Sequence, residues 1–401
     1  MSEAKTVVVL GGGVGGVVAA TTLRKQLPKP HRVVLVDRER RHLFAPSLLW
    51  LMTGGRTAGQ ITRPLDRIAK RGIEVVCGDI ARIDPETRRV ELVECPAGDD
   101  PVARRLGGTV RNLDADFLVV CLGAELAPET IPGLVEAGHN FYTLAGAESL
   151  REALDRFDGG RIVVLTAAPA YKCPAAPYEA AMLIADHIRK RKPVGSSQID
   201  VYAAEPGPMG VAGPEVSAGV RGMVEAKGIG YHPEHQVVEV DPSDRSLSFA
   251  NGVTASFDLL AYVPPHRAPQ VVREAGLVDE SGWIPVDRDT LHTTHPGIYA
   301  IGDVTGIPLK MGKPLPKAGV FAEREAKVVA RNITGEITGR GEPAVFDGHG
   351  ECFIETGGGR AGFGRGDFYA EPTPRVDLYP AGRRWHLGKL IFEKTWLHRW
   401  F

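Results

Sequence analysis

The 401-residue chain has no apolar run approaching the roughly 18 residues a membrane-spanning helix needs. It has no basic or acidic run either. Its formal charge is −1, so nothing in it suggests a nucleic-acid partner. Its five cysteines, in a chain expected to fold in the cytoplasm, do not read as a disulfide scaffold. The first residues, Met1 to Lys5, lead directly into an apolar strand with no secretory signal. The expectation is therefore a protein that folds in the cytoplasm, where paired cysteines would be candidates for redox chemistry. The pairs His232/His235 and His292/His295 lack a Cys or carboxylate at ligand spacing, so no metal site is expected. Glycine (48) and proline (30) are plentiful, which suits a turn-rich α/β protein of two or three domains.

The most informative stretch is Thr6 to Ala20, TVVVLGGGVGGVVAA. Four apolar β-formers run into a glycine cluster and then into small, helix-compatible residues, the pattern of a buried parallel strand turning into a helix. Gly11, Gly13 and Gly16 occupy the G-x-G-x-x-G positions. The first allows the tight turn, the second lets backbone approach a pyrophosphate, and the third lets helix pack close to strand. The pyrophosphate would sit on free N–H groups at the helix start. A second strand over 32–37 ends in Asp37, a carboxylate suited to a ribose hydroxyl. Together these predict dinucleotide binding.

Further on, 42–50 is an apolar loop-to-helix stretch in which Pro46 and Trp50 could line a pocket or simply pack on the core. Strands follow at 73–77 and 88–94, a hairpin loop over 96–112, and a buried strand over 116–123. Around 150 a new unit begins, with a helix over 149–157 and a strand over 161–166. A second nucleotide site would need glycines after that strand. The sequence instead gives Ala167-Ala168-Pro169-Ala170, whose side chains block close approach and argue against bound NAD(P)H. A helix over 178–191 and a strand over 198–203 continue this unit, and the strand 257–263 is assigned to a resumption of the first domain. The strand 297–301 ends in Gly302-Asp303, an acid placed to reach a ribityl hydroxyl, and the helix 318–332 then points its N-terminus at the ring.

With both ends of the nucleotide site placed, the chain over roughly 6–401 resembles the sulfide:quinone oxidoreductases. It is also similar to the flavoprotein subunit of sulfide dehydrogenases, on a sister branch of the disulfide-oxidoreductase-like flavoproteins. The residues that carry this are Tyr171-Lys-Cys173-Pro-Ala-Ala-Pro177-Tyr178-Glu179 and Cys352-Phe-Ile-Glu355-Thr-Gly357, which match the two redox-cysteine motifs. Val263–Pro269, Tyr299–Asp303 and Leu315–Phe321 match the flavin-side segments. The resemblance implies an α/β fold of two Rossmann-like three-layer domains of the FAD/NAD(P)-binding type, with a C-terminal membrane-facing segment. Residues 1–148 and 255–335 would form the FAD-binding domain, and 149–254 a second Rossmann-like domain without a nucleotide site. Residues 336–401 would carry the second redox cysteine and an amphipathic tail. Many quinone-linked members carry a third cysteine about thirty residues before the position of Cys173. Here Asn140-Phe141-Tyr142-Thr143 stands there, and Gly146 and Pro208 stand where some members have histidines.

The implied activity is FAD-dependent oxidation of sulfide to sulfur or polysulfide, with electrons passed through the flavin to a membrane quinone. Cys173 and Cys352 would be the redox pair, hydrosulfide attacking their disulfide and releasing a thiolate. Glu179 would take or give a proton, or else serve only as a charge at a helix start. Gly11, Gly13, Gly16, Asp37, Gly302, Asp303 and Lys317 would hold FAD, Lys317 at the pyrimidine edge unless it is a solvated surface lysine. Cys121, Cys77 and Cys95 read as structural. The tail from Trp385 to Phe401 mixes Trp, Phe and Leu with Lys and Arg, a composition that suits the membrane interface, though part of it could cover the core. Sulfide, quinone, the membrane surface and a homo-oligomeric partner complete the expectation, with the protein peripheral on the cytoplasmic side. Alternatives are a sulfide dehydrogenase with a cytochrome acceptor, an NADH:quinone oxidoreductase, and an FAD-binding sulfur carrier or sensor without turnover.

Overall fold

A computed structural model describes residues 3–95, 108–191, 195 and 197–401. Two sheets organise it. The first has seven strands. Five are parallel, in the order Ile298–Ala300, Phe117–Val120, Thr6–Leu10, Arg32–Asp37 and Glu74–Asp84. Arg89–Glu94 and Val110–Asp114 extend it in antiparallel fashion. Val7 to Leu10 are fully buried, as a strand covered on both faces must be. The helix Val14–Gln26 covers one face and packs along the long helix Gly319–Thr338. Of the loop expected over 96–112, residues 96–107 lie outside the described residues, and 110–112 are already strand.

The second sheet orders His139–Asn140, Leu259–Val263, Gly160–Thr166, Ser197–Ala203 and Gly230–His232, all parallel. The strand at 257–263 therefore does not rejoin the first sheet as expected. It sits beside Gly160–Thr166, with Val163 opposite Leu260 and Thr166 opposite Val263. All five of its residues are buried, so an apolar run of this kind fits the centre of either sheet and its pattern could not choose between them.

Three antiparallel strands, His349–Gly357, Arg360–Asp367 and Arg375–Gly382, follow. The chain then closes with the helix Arg383–Trp400, here called the tail helix. No helix of the described residues is long and apolar enough to cross a membrane. Trp396 and Trp400 face inward, 4% and 6% exposed, rather than outward as an interfacial aromatic belt would require. The exposed apolar side chains of the helix are Leu387, Ile391 and Phe392.

Cys77 and Cys95, expected as structural cysteines in a chain without disulfides, are joined as a disulfide. Antiparallel pairing of Gly78 with Glu94 brings the two residues opposite each other, and the Cys95 N–H donates to the Cys77 carbonyl at 2.8 Å. Cys121 is buried in the core as expected, its thiol donating to the Leu10 carbonyl at 2.9 Å.

Candidate active site

The glycine loop forms one half of a cofactor cradle. Gly11 has φ +105°, and a Cβ there would run into the Cys121 carbonyl. A Cβ on Gly16 would overlap the Gly11 carbonyl. Gly13, in contrast, is exposed with nothing within 4 Å of its Cβ position. Two glycines are thus required by packing, and the third leaves open backbone for an approaching phosphate. Asp37 accepts the N–H groups of Gly12 and Glu39. Burial raises its carboxyl above the ordinary range, and those two N–H groups oppose the shift. The carbonyl of Gly12 receives Nδ1–H of His42 at 2.9 Å. Burial drops His42 to about 4, so the ring is neutral. The same ring stacks on Trp396 of the tail helix with centroids 5.0 Å apart.

The other half is the turn after Ile298–Ala300. Gly302 has φ +73°, and its N–H donates to Glu325 at 2.6 Å. Asp303 is only half-buried by surface area, yet burial raises its carboxyl while Lys172 and Lys317 pull it down. Lys317 is a buried residue, not a solvated one. Its ammonium donates to the carbonyls of Asp303 (2.8 Å) and Thr305 (2.9 Å) and lies 3.3 Å from the Trp283 ring centroid. Burial lowers it to about 8. Glu325, fully enclosed nearby, is raised by burial to about 7.

Next to this cradle is the pocket of the two expected redox cysteines, Cys173 and Cys352. The strand Gly160–Thr166 ends in a turn held by two non-glycine residues in the left-handed region, Ala170 (φ +65°) and Cys173 (φ +51°). Such a conformation persists only where surroundings enforce it. Here the Cys173 N–H donates to the Lys317 carbonyl at 2.7 Å, which ties the cysteine to the cradle. Its own carbonyl accepts the Ala176 N–H (2.9 Å) and the Tyr142 hydroxyl (3.2 Å). Tyr142 also donates to the Lys172 carbonyl at 2.9 Å. The segment that lacks the third cysteine therefore packs a phenol against the backbone of Cys173.

Cys352 sits on His349–Gly357, the strand packed beside the helix Ala176–Arg191. Both cysteines are free thiols. They lie within electrostatic reach, since Cys352 is raised first by burial, then by Cys173 and Glu179. Cys173 is pushed up to about 12 by burial and by Glu179, and Lys389 works in the opposite direction. Glu179 is 2% exposed and accepts the Glu355 N–H at 2.8 Å and the Lys389 ammonium at 2.7 Å. Burial disfavours the Lys389 charge, yet Glu179 and Glu355 outweigh it and the lysine is held above its ordinary range. Glu355, 1% exposed, contacts Nδ1 of His386 at 3.0 Å.

The second sheet carries a carboxylate of its own. Glu205 follows the strand Ser197–Ala203, where a ribose-binding acid would stand. Its carboxylate accepts the hydroxyls of Tyr171, Tyr178 (2.6 Å) and Thr166 (2.8 Å).

Gly11, Gly13, Gly16, Asp37, Gly302, Asp303 and Lys317 thus border one cradle, and Cys173, Cys352 and Glu179 share the pocket beside it. Sequence reasoning missed Tyr142, Glu205, Glu325 and Lys389. A carboxylate two residues past a parallel strand was a usable signal for Glu205. Lys389 had none, because its partner Glu179 is 210 residues away in the chain.

Residues 5–326 match the pyridine nucleotide-disulphide oxidoreductase family, and the chain belongs to it. The sulfide-quinone reductase of Aquifex aeolicus is 27% identical over 416 residues, 98% of this chain and 90% of its own. The mitochondrial sulfide:quinone oxidoreductase of Mus musculus is 24% identical and covers 91% of this chain and 79% of its own. The X-ray structure of the Aquifex aeolicus sulfide:quinone oxidoreductase superposes with a TM-score of 0.86 at 26% identity, covering 99% of this chain and 91% of the other.

Proposed function

We propose that this member of the family is an FAD-dependent sulfide:quinone oxidoreductase. The observation that carries the reading is that two half-buried free thiols, Cys173 and Cys352, lie within electrostatic reach of each other, with Cys173 tied to the cofactor cradle through the Lys317 carbonyl. The cradle suits FAD: Gly13 presents open backbone to a pyrophosphate, Asp37 stands at the ribose end, and Asp303 and Lys317 border the flavin end. Held there, FAD would supply a two-electron acceptor for the thiols and a donor for the quinone.

In the oxidised pair, hydrosulfide forms a bond to one cysteine sulfur as the Cys173–Cys352 bond breaks, leaving a persulfide and a thiolate. Glu179 accepts the proton of the incoming hydrosulfide, and Lys389 compensates charge in the pocket. The electron pair of the thiolate is what leaves for the acceptor. Both thiols are raised by burial, so the resting reduced pair is protonated and Lys389 is the group that favours the thiolate. Glu205, saturated by three hydroxyls, supports exclusion of NAD(P)H from the second domain. The tail helix, with Leu387 and Ile391 exposed beside Lys394, supports peripheral attachment to a membrane surface, and the proposal puts that surface on the cytoplasmic side.

The test is anaerobic titration of the flavin absorbance, with sulfide and separately with NADH. Bleaching by sulfide, reversed by a soluble quinone, is the expected result. Bleaching by NADH alone would sink the proposal, and silence towards both would favour a sulfur carrier or sensor.

A further inference from the structure

A quarter-turn around the tail helix from Lys389, a groove of about 720 Å3 opens between residues 56–71 and 390–401. Arg63, Arg67 and Arg71 line one wall and Lys394 the other, while Leu390 and Leu397 supply apolar surface. Among the described residues the only side-chain carboxylate lining it, Glu393, is already taken by Arg56 at 2.6 Å. Arg63 donates to the carbonyls of Thr62 (2.8 Å) and Gln60 (3.0 Å), and Arg71 to that of Arg399 (3.2 Å). Arg67 and Lys394 are exposed. Among the described residues, none of Arg63, Arg67, Arg71 or Lys394 has a carboxylate within 4 Å. In a chain of formal charge −1, this is a local concentration of unmatched cations.

The groove also has a polarity. Leu387, Ile391, Lys394 and His398 follow i, i+4, i+7, i+11 spacing and form one strip of the helix. Its first two members are apolar and 56% exposed, and its last two are basic and line the groove. An occupant that matches both ends carries negative charge at one end and hydrocarbon at the other. Guanidinium groups offer forked donors that suit a phosphate.

We propose that this groove binds the phosphate of an anionic phospholipid, with its acyl chains lying along Leu387 and Ile391. The inference rests on peripheral membrane attachment and adds lipid selectivity to it. Each cation near the lipid surface contributes about fivefold in binding. Loss of two should then cost on the order of 20-fold, a difference that shrinks with salt.

The experiment is flotation of the FAD-loaded protein with vesicles of phosphatidylcholine, with and without phosphatidylglycerol. Wild type should prefer the anionic vesicles. Arg67→Gln with Lys394→Gln should lose that preference, and Arg67→Glu with Lys394→Glu should reverse it. Both side chains are exposed, so flavin content and sulfide turnover with a water-soluble quinone should be unchanged. Leu387→Ser with Ile391→Ser should weaken binding to both vesicle types. Equal binding of wild type to both vesicles, or a preference that survives in flavin-loaded Arg67/Lys394 variants, overturns the lipid site but leaves membrane attachment standing. No binding to either vesicle overturns both. Displacement from the vesicles by inorganic phosphate, beyond that by chloride at equal ionic strength, would make this a free-phosphate site and also overturn the proposal.

Discussion

Replacing Lys389 by methionine removes the one cation that, among the described residues, pairs with Glu179. Both side chains are below a tenth exposed, so water cannot take the place of the lost partner. Removing one member of a buried ion pair typically costs about 3–5 kcal/mol, because the remaining charge stays desolvated. Glu179 keeps the N–H of Glu355, so the expected loss lies near about 3 kcal/mol in that range. Glu179→Gln with Lys389→Met removes both charges while leaving an oxygen to accept the Glu355 N–H. That pair should recover at least half of the loss, a coupling that a double-mutant cycle reads directly. Denaturant midpoints of the FAD-loaded proteins are the assay. A second readout is chemical: Lys389 holds the Cys173 thiol down from where burial would place it, so its removal should move the pH limb of sulfide-dependent bleaching to the alkaline side. The reasoning is refuted if Lys389→Met unfolds within about 1 kcal/mol of wild type, or if the two single effects simply add.

Three further outcomes follow from the geometry. Cys173→Ser and Cys352→Ser should each abolish flavin bleaching by sulfide while keeping the flavin bound, and rapid bleaching in both would end the redox-pair assignment. Gly16→Ala should yield protein without the flavin absorbance band, since its Cβ meets the Gly11 carbonyl backbone; a fully yellow variant would contradict the packing argument. Glu325 carries a pH signature: its carboxyl is raised from 4.5 to about 7, so the folded state binds the extra proton between those values and stability must fall as pH rises through them. The drop amounts to about 3 kcal/mol at most. Glu325→Gln should flatten the fall in melting temperature between about pH 5 and about pH 8, and an unchanged slope would assign it to another group.

The glycine loop was legible because its constraints are local: turn, phosphate approach and helix packing are all settled within six residues. The same holds for Asp37, which ends the next strand. For the proposed sulfur pocket the sequence offered Cys173, Cys352 and Glu179 as candidates but nothing of the contacts around them. Cys173 and Glu179 share a turn and helix start, but Cys352, Glu355 and Lys389 come from a different sheet and helix, and no spacing rule links them. The strand at 257–263 was placed with the wrong sheet because a fully buried strand carries no mark of its neighbours. The tail helix was read by composition, whereas packing turned Trp396 and Trp400 inward and left Leu387, Ile391 and Phe392 outside. The Cys77–Cys95 bond depends on strand register, which the intervening loop hides from a linear reading.

The tail helix also bears on how the protein is made. Thr6–Leu10 and its glycine loop leave the ribosome early, yet the neighbouring strand Phe117–Val120 gains its outer partner only when Ile298–Ala300 has emerged. Ser47, His42 and Glu179 must wait longer still, for Glu393, Trp396 and Lys389. Until then Glu179 has no counter-charge, and the apolar faces later covered by Trp396 and Trp400 stay open to chaperones. A nascent chain arrested before residue 383 should therefore carry every residue of the cofactor cradle, while Glu179 still lacks Lys389 and His42 still lacks Trp396.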